Sequence, residues 1–168
     1  MKTSERAATG QLASVFSAYR GELTRLAAFI LGDRGAGEDV VQDVFVRLHQ
    51  RGFGADDGDP LPYLRRAVVN GCRSVLRRRS LIRRHAEKDS PCPPLSAEEA
   101  ALLSEDRGQV LRALAALPQR RREVLVLRYY LELSETEIAT TLGISQGTVK
   151  STAARGLAAL ASALKETQ

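Results

Sequence analysis

Apolar residues recur at steps of three and four along most of the chain, which is the spacing of one face of an α-helix, and the strict alternation typical of strands is absent. A first helix is predicted to end at Gly32. Its apolar stripe consists of Leu12, Val15, Phe16, Tyr19, Leu23, Leu26, Ile30 and Leu31. A second helix is predicted over about 36–50. Its buried face consists of Val40, Val41, Val44, Phe45 and Leu48.

A third helix is predicted to start near Pro62, because proline is favoured in the first turn of a helix. It follows a loop over residues 51–60 that is rich in glycine and aspartate, and it extends to the arginine run at 77–79. Its inward-facing residues are Leu64, Val68, Cys72 and Val75. Helical spacing is lost from about residue 80, and the sequence SPCPP at 90–94 predicts an extended linker.

Beyond the linker the pattern predicts helices again, over about 97–117, 119–132, 135–142 and 146–164. The sequence therefore predicts an all-α protein of two small helical domains joined by a flexible, proline-containing linker. We place the N-terminal module at residues 1–80, the linker at 81–96 and the C-terminal module at 97–168.

The segment SETEIATTLGISQGTVK at residues 134–150 is the most specific pattern in the chain. Ser134 and Glu137 have the spacing of a capping box at the start of a short helix. Gly143 suits the left-handed conformation of a tight turn, and Ser145 is a favoured cap for the helix that follows. Together these features predict a helix-turn-helix.

The second helix of this motif is predicted to bury a stripe and to expose a polar face. The stripe consists of Val149, Ala153, Leu157, Leu160 and Leu164. The residues predicted to contact DNA are Gln146, Thr148, Lys150, Ser151 and Arg155. The second helix of such a motif enters the major groove, where amides, hydroxyls and cations bind base edges and phosphates. The alternative is a plain helical hairpin with a solvated face.

The positive charge of the chain is concentrated in one segment. Residues 61–90 hold nine Lys and Arg against two Asp and Glu, a net charge of +7, whereas the whole chain carries +5. Such a segment is typical of a surface that meets nucleic acid, although a solvated basic face would look the same. The side chains that lie within about 60° on the third helix are Arg66, Asn70, Arg73 and Arg77, and Arg78 extends the charge.

Other function classes find little support in the 168 residues. No apolar run approaches the ~20 residues of a membrane span, and the N-terminus lacks the apolar stretch of a secretory signal. The two cysteines, Cys72 and Cys92, have no metal-binding spacing. Neither His49 nor His85 is spaced with a nucleophile or paired carboxylates. We therefore expect a cytoplasmic protein without cofactor, metal, small-molecule substrate or catalytic activity.

The second helix carries an outward face with a different chemistry. This face consists of Asp39, Gln42, Asp43 and Val46. A valine among carboxylates suggests a surface that docks on another protein, although single exposed hydrophobic residues are common in any protein.

Three segments of the chain resemble, in order, conserved parts of bacterial sigma factors. Residues 31–45 (LGDRGAGEDVVQDVF) resemble the polymerase-binding part of region two, and residues 70–79 resemble the part that opens and reads the minus-ten element. Residues 117–130, with the helix-turn-helix as far as Arg155, resemble region four. The short linker points to the extracytoplasmic-function class, which directs RNA polymerase to promoters.

The resemblance implies partners and roles for the candidate residues. Asp39, Gln42 and Asp43 would contact core RNA polymerase, and the outward face of the helix-turn-helix would read the minus-thirty-five element. The arginine-rich third helix would engage the melted minus-ten strand, and the loop with Phe53 would hold a flipped-out base. The resemblance also makes an anti-sigma protein a candidate partner, which no individual residue indicates. The alternative is a helix-turn-helix regulator that binds duplex DNA as a dimer.

Overall fold

The computed structural model describes residues 2–51, 58–85 and 105–166, and every regular element among them is a helix. The N-terminal helices are α1 (Lys2–Leu31), α2 (Arg34–Arg51) and α3 (Leu61–His85). The C-terminal ones are α4 (Glu105–Ala116), α5 (Gln119–Leu125), the π-turn (Val126–Tyr130), α6 (Glu135–Leu142) and α7 (Gln146–Lys165). The all-helical fold predicted from the sequence is confirmed. Phe53, Cys92 and most of the predicted linker lie outside the described residues.

The three N-terminal helices pack around the apolar stripes that the sequence predicts. All five predicted inward residues of α2 are buried, and so are Leu64, Val68 and Cys72 of α3. Two glycines set how closely the helices approach. A methyl group on Gly37 would lie 2.9 Å from the backbone nitrogen of Ala28, and one on Gly71 would lie 2.7 Å from Val40 Cγ1. Helices this close leave no room for a side chain at either position.

Helix α3 is longer than predicted. It continues through Leu81 and Ile82 to His85, whereas the sequence pattern predicts an end after the arginine run. Both residues remain half-exposed or more, so this last part of α3 buries little apolar surface. The prediction placed the helix end where the apolar period stops, but a run of arginine, leucine and isoleucine has adequate helix propensity without burial.

In the C-terminal half, the predicted stripe of α7 is wrong at Leu157, which is 41% exposed. Val149 and Ala153 are buried as predicted, but the next buried position is Gly156. A methyl group on Gly156 would lie 3.1 Å from Leu125 Cγ, so α5 packs directly against the backbone of α7 there. Positions 156 and 157 follow Ala153 by three and four residues, so either position fits the helical period. Helix α5 comes closest at position 156, because glycine has no side chain there.

The described parts of the two halves pack against each other and share one hydrophobic core. The ring of Tyr130 in the π-turn meets Phe29 of α1 edge to face, with 4.6 Å between ring centroids. The buried Arg122 of α5 donates a hydrogen bond to the Ile30 carbonyl at 2.6 Å. It also donates to the carbonyls of Ala115 and Leu117 at 2.6 and 3.0 Å, where α4 ends. Both Nη atoms of this guanidinium therefore have hydrogen-bond partners despite their burial.

Candidate nucleic-acid interface

The helix-turn-helix has the terminal hydrogen bonds that its sequence predicts. The Glu137 backbone N–H donates to Ser134 Oγ at 3.3 Å, and Glu137 Oε2 accepts from the Ser134 N–H at 2.8 Å. The Ser134 hydrogen bonds hold the pKa of Glu137 below its ordinary value. Gly143 ends α6 in the left-handed conformation, with φ of 67°. These local bonds fix where α6 begins and where the chain turns into α7.

The first turn of α7 is capped and open to solvent. The Thr148 backbone N–H donates to Ser145 Oγ at 3.1 Å. Gln146 and Thr148 are exposed, and the Gln146 amide donates to Thr136 Oγ1 of α6 at 3.0 Å. Amide and hydroxyl groups on an exposed helix N-terminus can donate to and accept from base edges or phosphates.

Further along α7 the cations have protein partners. Exposed Lys150 lies 3.4 Å from Glu135 Oε2, and Arg128 also contacts this carboxylate at 3.2 Å. Exposed Arg155 donates from Nε to the Ser151 carbonyl at 3.2 Å, and Ser151 is half-buried. Of the five residues predicted for duplex binding on α7, four are therefore exposed and Ser151 is half-buried.

Most of the candidate DNA-binding residues on α3 are exposed, but one of them forms an ion pair within the protein. Arg66, Asn70, Arg77 and Arg78 are exposed. Arg73 instead makes a two-pronged ion pair with Glu123 of α5, with its Nε and Nη2 donating at 3.0 and 2.8 Å. The hydrogen bond to Glu123 raises the pKa of Arg73 above its ordinary value, so this side chain stays charged.

A groove of about 720 Å³ runs between α2 and α3. Its lining includes Arg47, Arg51, Arg66, Arg78 and Asn70. The half-exposed ring of Tyr63 borders the same groove and is the aromatic side chain there. A groove lined with arginines beside an exposed ring offers both features that hold single strands, which are phosphate contacts and base stacking.

The four residues of the acidic face on α2 are all exposed, and Val46 is exposed by 53%. Their neighbours Val44 and Phe45 point into the core. The face is thus presented on a rigid helix whose other side is fixed by packing.

The sequence did not identify Glu123 as a functional residue. Its side chain is 1% exposed, forms ion pairs with Arg73 and Arg120, and accepts a hydrogen bond from Gln119. It stands in the run QRRREVL, and a lone acid among arginines next to apolar positions is a signal for a buried ion pair. Its partner Arg73 lies 50 positions away in the chain and could not be predicted from that segment.

In residues 2–51, 58–85 and 105–166, no cluster of three or more His, Cys, Asp or Glu is arranged to hold a metal ion. None of the helices in these same ranges has the length and apolar character needed to cross a bilayer.

Comparison with known proteins gives two family matches, one in each half of the chain. Residues 15–82 match the family model of sigma-70 region 2, and residues 107–160 match that of sigma-70 region 4. Both matches fall in the order and at the places where the helices of the N-terminal and C-terminal halves lie.

Similar proteins support the same family. An RNA polymerase sigma-E factor from Streptomyces avermitilis is 34% identical over 82% of this chain and 76% of its own. The ECF RNA polymerase sigma factor SigL from Mycobacterium tuberculosis is 31% identical over 91% and 88%.

Two solved structures share the fold. The sigma factor RpoE from Bartonella quintana, solved with the anti-sigma factor NepR, has a TM-score of 0.72 at 21% identity over 92% of this chain and 97% of its own. CnrH, solved with the cytosolic domain of CnrY, has a TM-score of 0.68 at 25% identity over 98% and 96%. The family matches and the similar sequences favour a sigma factor over a dimeric helix-turn-helix regulator. The chain belongs to the extracytoplasmic-function class of the sigma-70 family, the sigma factors that bind core RNA polymerase and direct it to promoters.

Proposed function

We propose that three surfaces of this sigma factor have separate roles in transcription initiation. The polar face of α7 reads the minus-thirty-five duplex, the basic face of α3 holds the melted minus-ten strand, and the acidic face of α2 docks on core polymerase. The observation that carries the assignment is the capped helix-turn-helix, whose second helix presents its polar N-terminal turn to solvent.

For the duplex, we propose that the residues at the start of α7 contact base edges. Gln146 and Thr148 lie in its first turn, where backbone N–H groups also favour a phosphate. Lys150 and Arg155 follow on the exposed side and supply charge for the flanking backbone. Each phosphate that they neutralise adds to affinity and to its salt dependence.

For the single strand, the exposed side chains of α3 extend along one side of the helix. Arg66 to Arg77 span about 16 Å at 1.5 Å per residue, a length that covers several phosphates. Asn70 lies between them and can donate to and accept from a base. Phe53 belongs to the same proposal as a contact to a flipped-out base, on the strength of the family resemblance alone.

For the polymerase, the acidic face of α2 offers two carboxylates and an amide around an exposed apolar residue. Asp39, Gln42 and Asp43 are polar groups on a rigid helix, and Val46 supplies an apolar contact. Protein interfaces commonly combine a small apolar centre with a polar rim.

We further infer that the modules predicted at residues 1–80 and 97–168 fold as separable units, with α3 extending the first module to His85 and the linker following it. The protein acts by binding, without catalysis of its own, and works in the cytoplasm where transcription takes place. An anti-sigma protein is a candidate partner, because the fold neighbour RpoE was solved with one.

The docking face is tested by replacing two of its exposed side chains together, as Asp39→Ala with Gln42→Ala. Because neither contributes to the core, the free energy of unfolding should change by no more than about 0.5 kcal/mol per substitution. Co-purification with core polymerase should be lost. The control is Glu166→Ala, which removes the same charge from an exposed position at the end of α7, away from α2. Normal core binding by the first double variant would refute the docking face.

A further inference from the structure

A cleft of about 410 Å³ opens between α1 and the first turns of α2. Its α1 side includes Arg20, Thr24 and Arg25, and its α2 side includes Arg34 and Glu38. Clefts of this size commonly hold small molecules. None of these five residues belongs to the surfaces proposed above for promoter DNA or core polymerase, so the cleft is a separate feature of the molecule.

The cleft is open on the α1 side because Gly21 has no side chain there. A methyl group on Gly21 would have Arg25 Nη1 as its nearest neighbour, at the ordinary contact distance of 3.8 Å. Glycine inside a helix lowers its stability relative to other residues, and no close packing requires glycine at this position. Its missing side chain leaves space for a ligand against the backbone of α1.

The lining of the cleft has an excess of positive charge. It holds three arginines and one glutamate, a net charge of +2. Arg34 Nε lies 3.3 Å from Glu38 Oε1, so the single carboxylate is paired with a cation of its own helix. The remaining positive charge belongs to Arg20 and Arg25, which are both exposed to solvent.

Contacts within the protein orient these two guanidinium groups. The guanidinium of Arg20 lies 5.5 Å from the ring centroid of Phe16, and Arg25 Nε donates a hydrogen bond to the Tyr130 hydroxyl. A guanidinium has several N–H donors in a planar fork, and one hydrogen bond through Nε uses only one of them. Both side chains are therefore positioned at the cleft with donors that an oxyanion can use.

A buried hydroxyl group adds a second and independent indication of a ligand. Thr24 lines the cleft and is only 7% exposed. Among the residues that the structure describes, its Oγ1 has no hydrogen-bond partner. A buried polar group without a partner costs free energy. An acceptor oxygen that enters the cleft would give this hydroxyl a partner and remove that cost.

We propose that this cleft binds a small molecule that carries a diphosphate or polyphosphate group. Phosphate oxygens suit the planar donor fork of arginine, and such charge-assisted hydrogen bonds are stronger than neutral ones. The hydroxyl of Thr24 donates to one of these oxygens. The site lies outside the surfaces proposed for initiation and does not depend on their roles.

The test measures binding of inorganic pyrophosphate to the full-length protein by isothermal titration calorimetry at low ionic strength. Gly21→Leu fills the cleft without changing any charge, and leucine favours a helix. Gly10→Leu is the matched control, because Gly10 lies on the same helix with no described heavy atom within 4 Å of an added methyl group. Gly21→Leu should weaken binding about tenfold or more, the usual effect of losing one hydrogen bond to a charged group. Gly10→Leu should bind pyrophosphate as the wild type does.

A second pair of variants separates the cleft from the arginine-lined groove beside α3. Arg20→Gln should weaken pyrophosphate binding, and Arg66→Gln, which removes an exposed arginine of that groove, should not. The reverse pattern would place pyrophosphate in the groove and overturn the proposal. If Gly21→Leu loses helical circular dichroism, the comparison of Arg20→Gln with Arg66→Gln decides alone.

Further outcomes identify the ligand or reject the site. ADP contains the same diphosphate, so tighter binding of ADP than of pyrophosphate indicates a nucleotide, and binding no tighter indicates an inorganic polyphosphate. No pyrophosphate binding by the wild type, or equal weakening by Gly21→Leu and Gly10→Leu, overturns the proposal. Loss of affinity for single-stranded oligothymidylate in Gly21→Leu would assign the cleft to nucleic acid and would also overturn it.

Discussion

Gly37 of α2 lies directly against the backbone of Ala28 in α1, where an added methyl group would come within 2.9 Å of the Ala28 nitrogen. Backbone atoms cannot move aside as the end of a side chain can. Gly37→Ala should therefore push α2 away from α1 and lower the free energy of unfolding by ~1–3 kcal/mol, as overpacking in cores does. Urea denaturation followed by circular dichroism measures this change.

Gly35 provides the control on the same helix. A methyl group there would meet only the Asp33 side chain, at the ordinary contact distance of 3.6 Å. Gly35→Ala should be neutral or slightly stabilising, because alanine loses less conformational freedom in a helix. Equal destabilisation by both substitutions would contradict the close approach at Gly37.

The capping box predicts a pH dependence of stability. Because its hydrogen bonds lower the pKa of Glu137 in the folded chain, the ionised carboxylate stabilises the fold fully above its ordinary value of 4.5. That contribution is lost as the pH falls through the folded pKa. Glu137→Gln should therefore be less stable than the wild type near neutral pH, and the difference should shrink on acidification.

Thermal melts of both proteins at several pH values measure this dependence. Glu166→Gln removes the same charge beyond the end of α7 and serves as the control. A difference between wild type and Glu137→Gln that does not vary with pH would mean that the carboxylate charge has no part in the cap. Ser134→Ala should cost about 1 kcal/mol, the usual loss for an N-cap.

The thiol of Cys72 should be unreactive in the folded protein. Burial, reinforced by the negative charge of Glu123, raises its pKa to about 12. Almost no thiolate then exists near neutral pH, and the sulfur is also out of reach. In a Cys92→Ser variant, colour development with Ellman's reagent should be slow without denaturant and fast in urea. Rapid reaction in buffer alone would contradict the burial of Cys72.

The structural features that the sequence predicts best are those determined by residues close together in the chain. The caps at Ser134 and Ser145 and the turn at Gly143 follow from local hydrogen bonds and backbone conformation, and the structure confirms them. The inward face of α2 is equally well predicted, because a strongly periodic stripe has a single side to bury.

Features that depend on a distant partner could not be predicted in the same way. Leu157 fits the period of α7 but lies past the position where α5 packs on Gly156. The periodicity of α3 places Arg73 on the basic face, yet nothing near it in the chain indicates Glu123, 50 positions away. Contacts of this kind are fixed by how helices dock, which local propensity does not encode.

The central claim, that α7 recruits duplex while α3 holds the opened strand, is tested most directly by paired template assays with core polymerase. Asn70→Ala and Arg155→Ala are compared on a duplex promoter and on the same promoter with a pre-melted bubble, with Arg112→Ala as an exposed-arginine control. Transcript yield and permanganate reactivity of unpaired thymines are measured. The account predicts that the bubble restores Asn70→Ala far more than Arg155→Ala, whose recruitment should instead show a salt slope smaller by ~0.9. Equal rescue of both variants, or of neither, would contradict the division between the two helices.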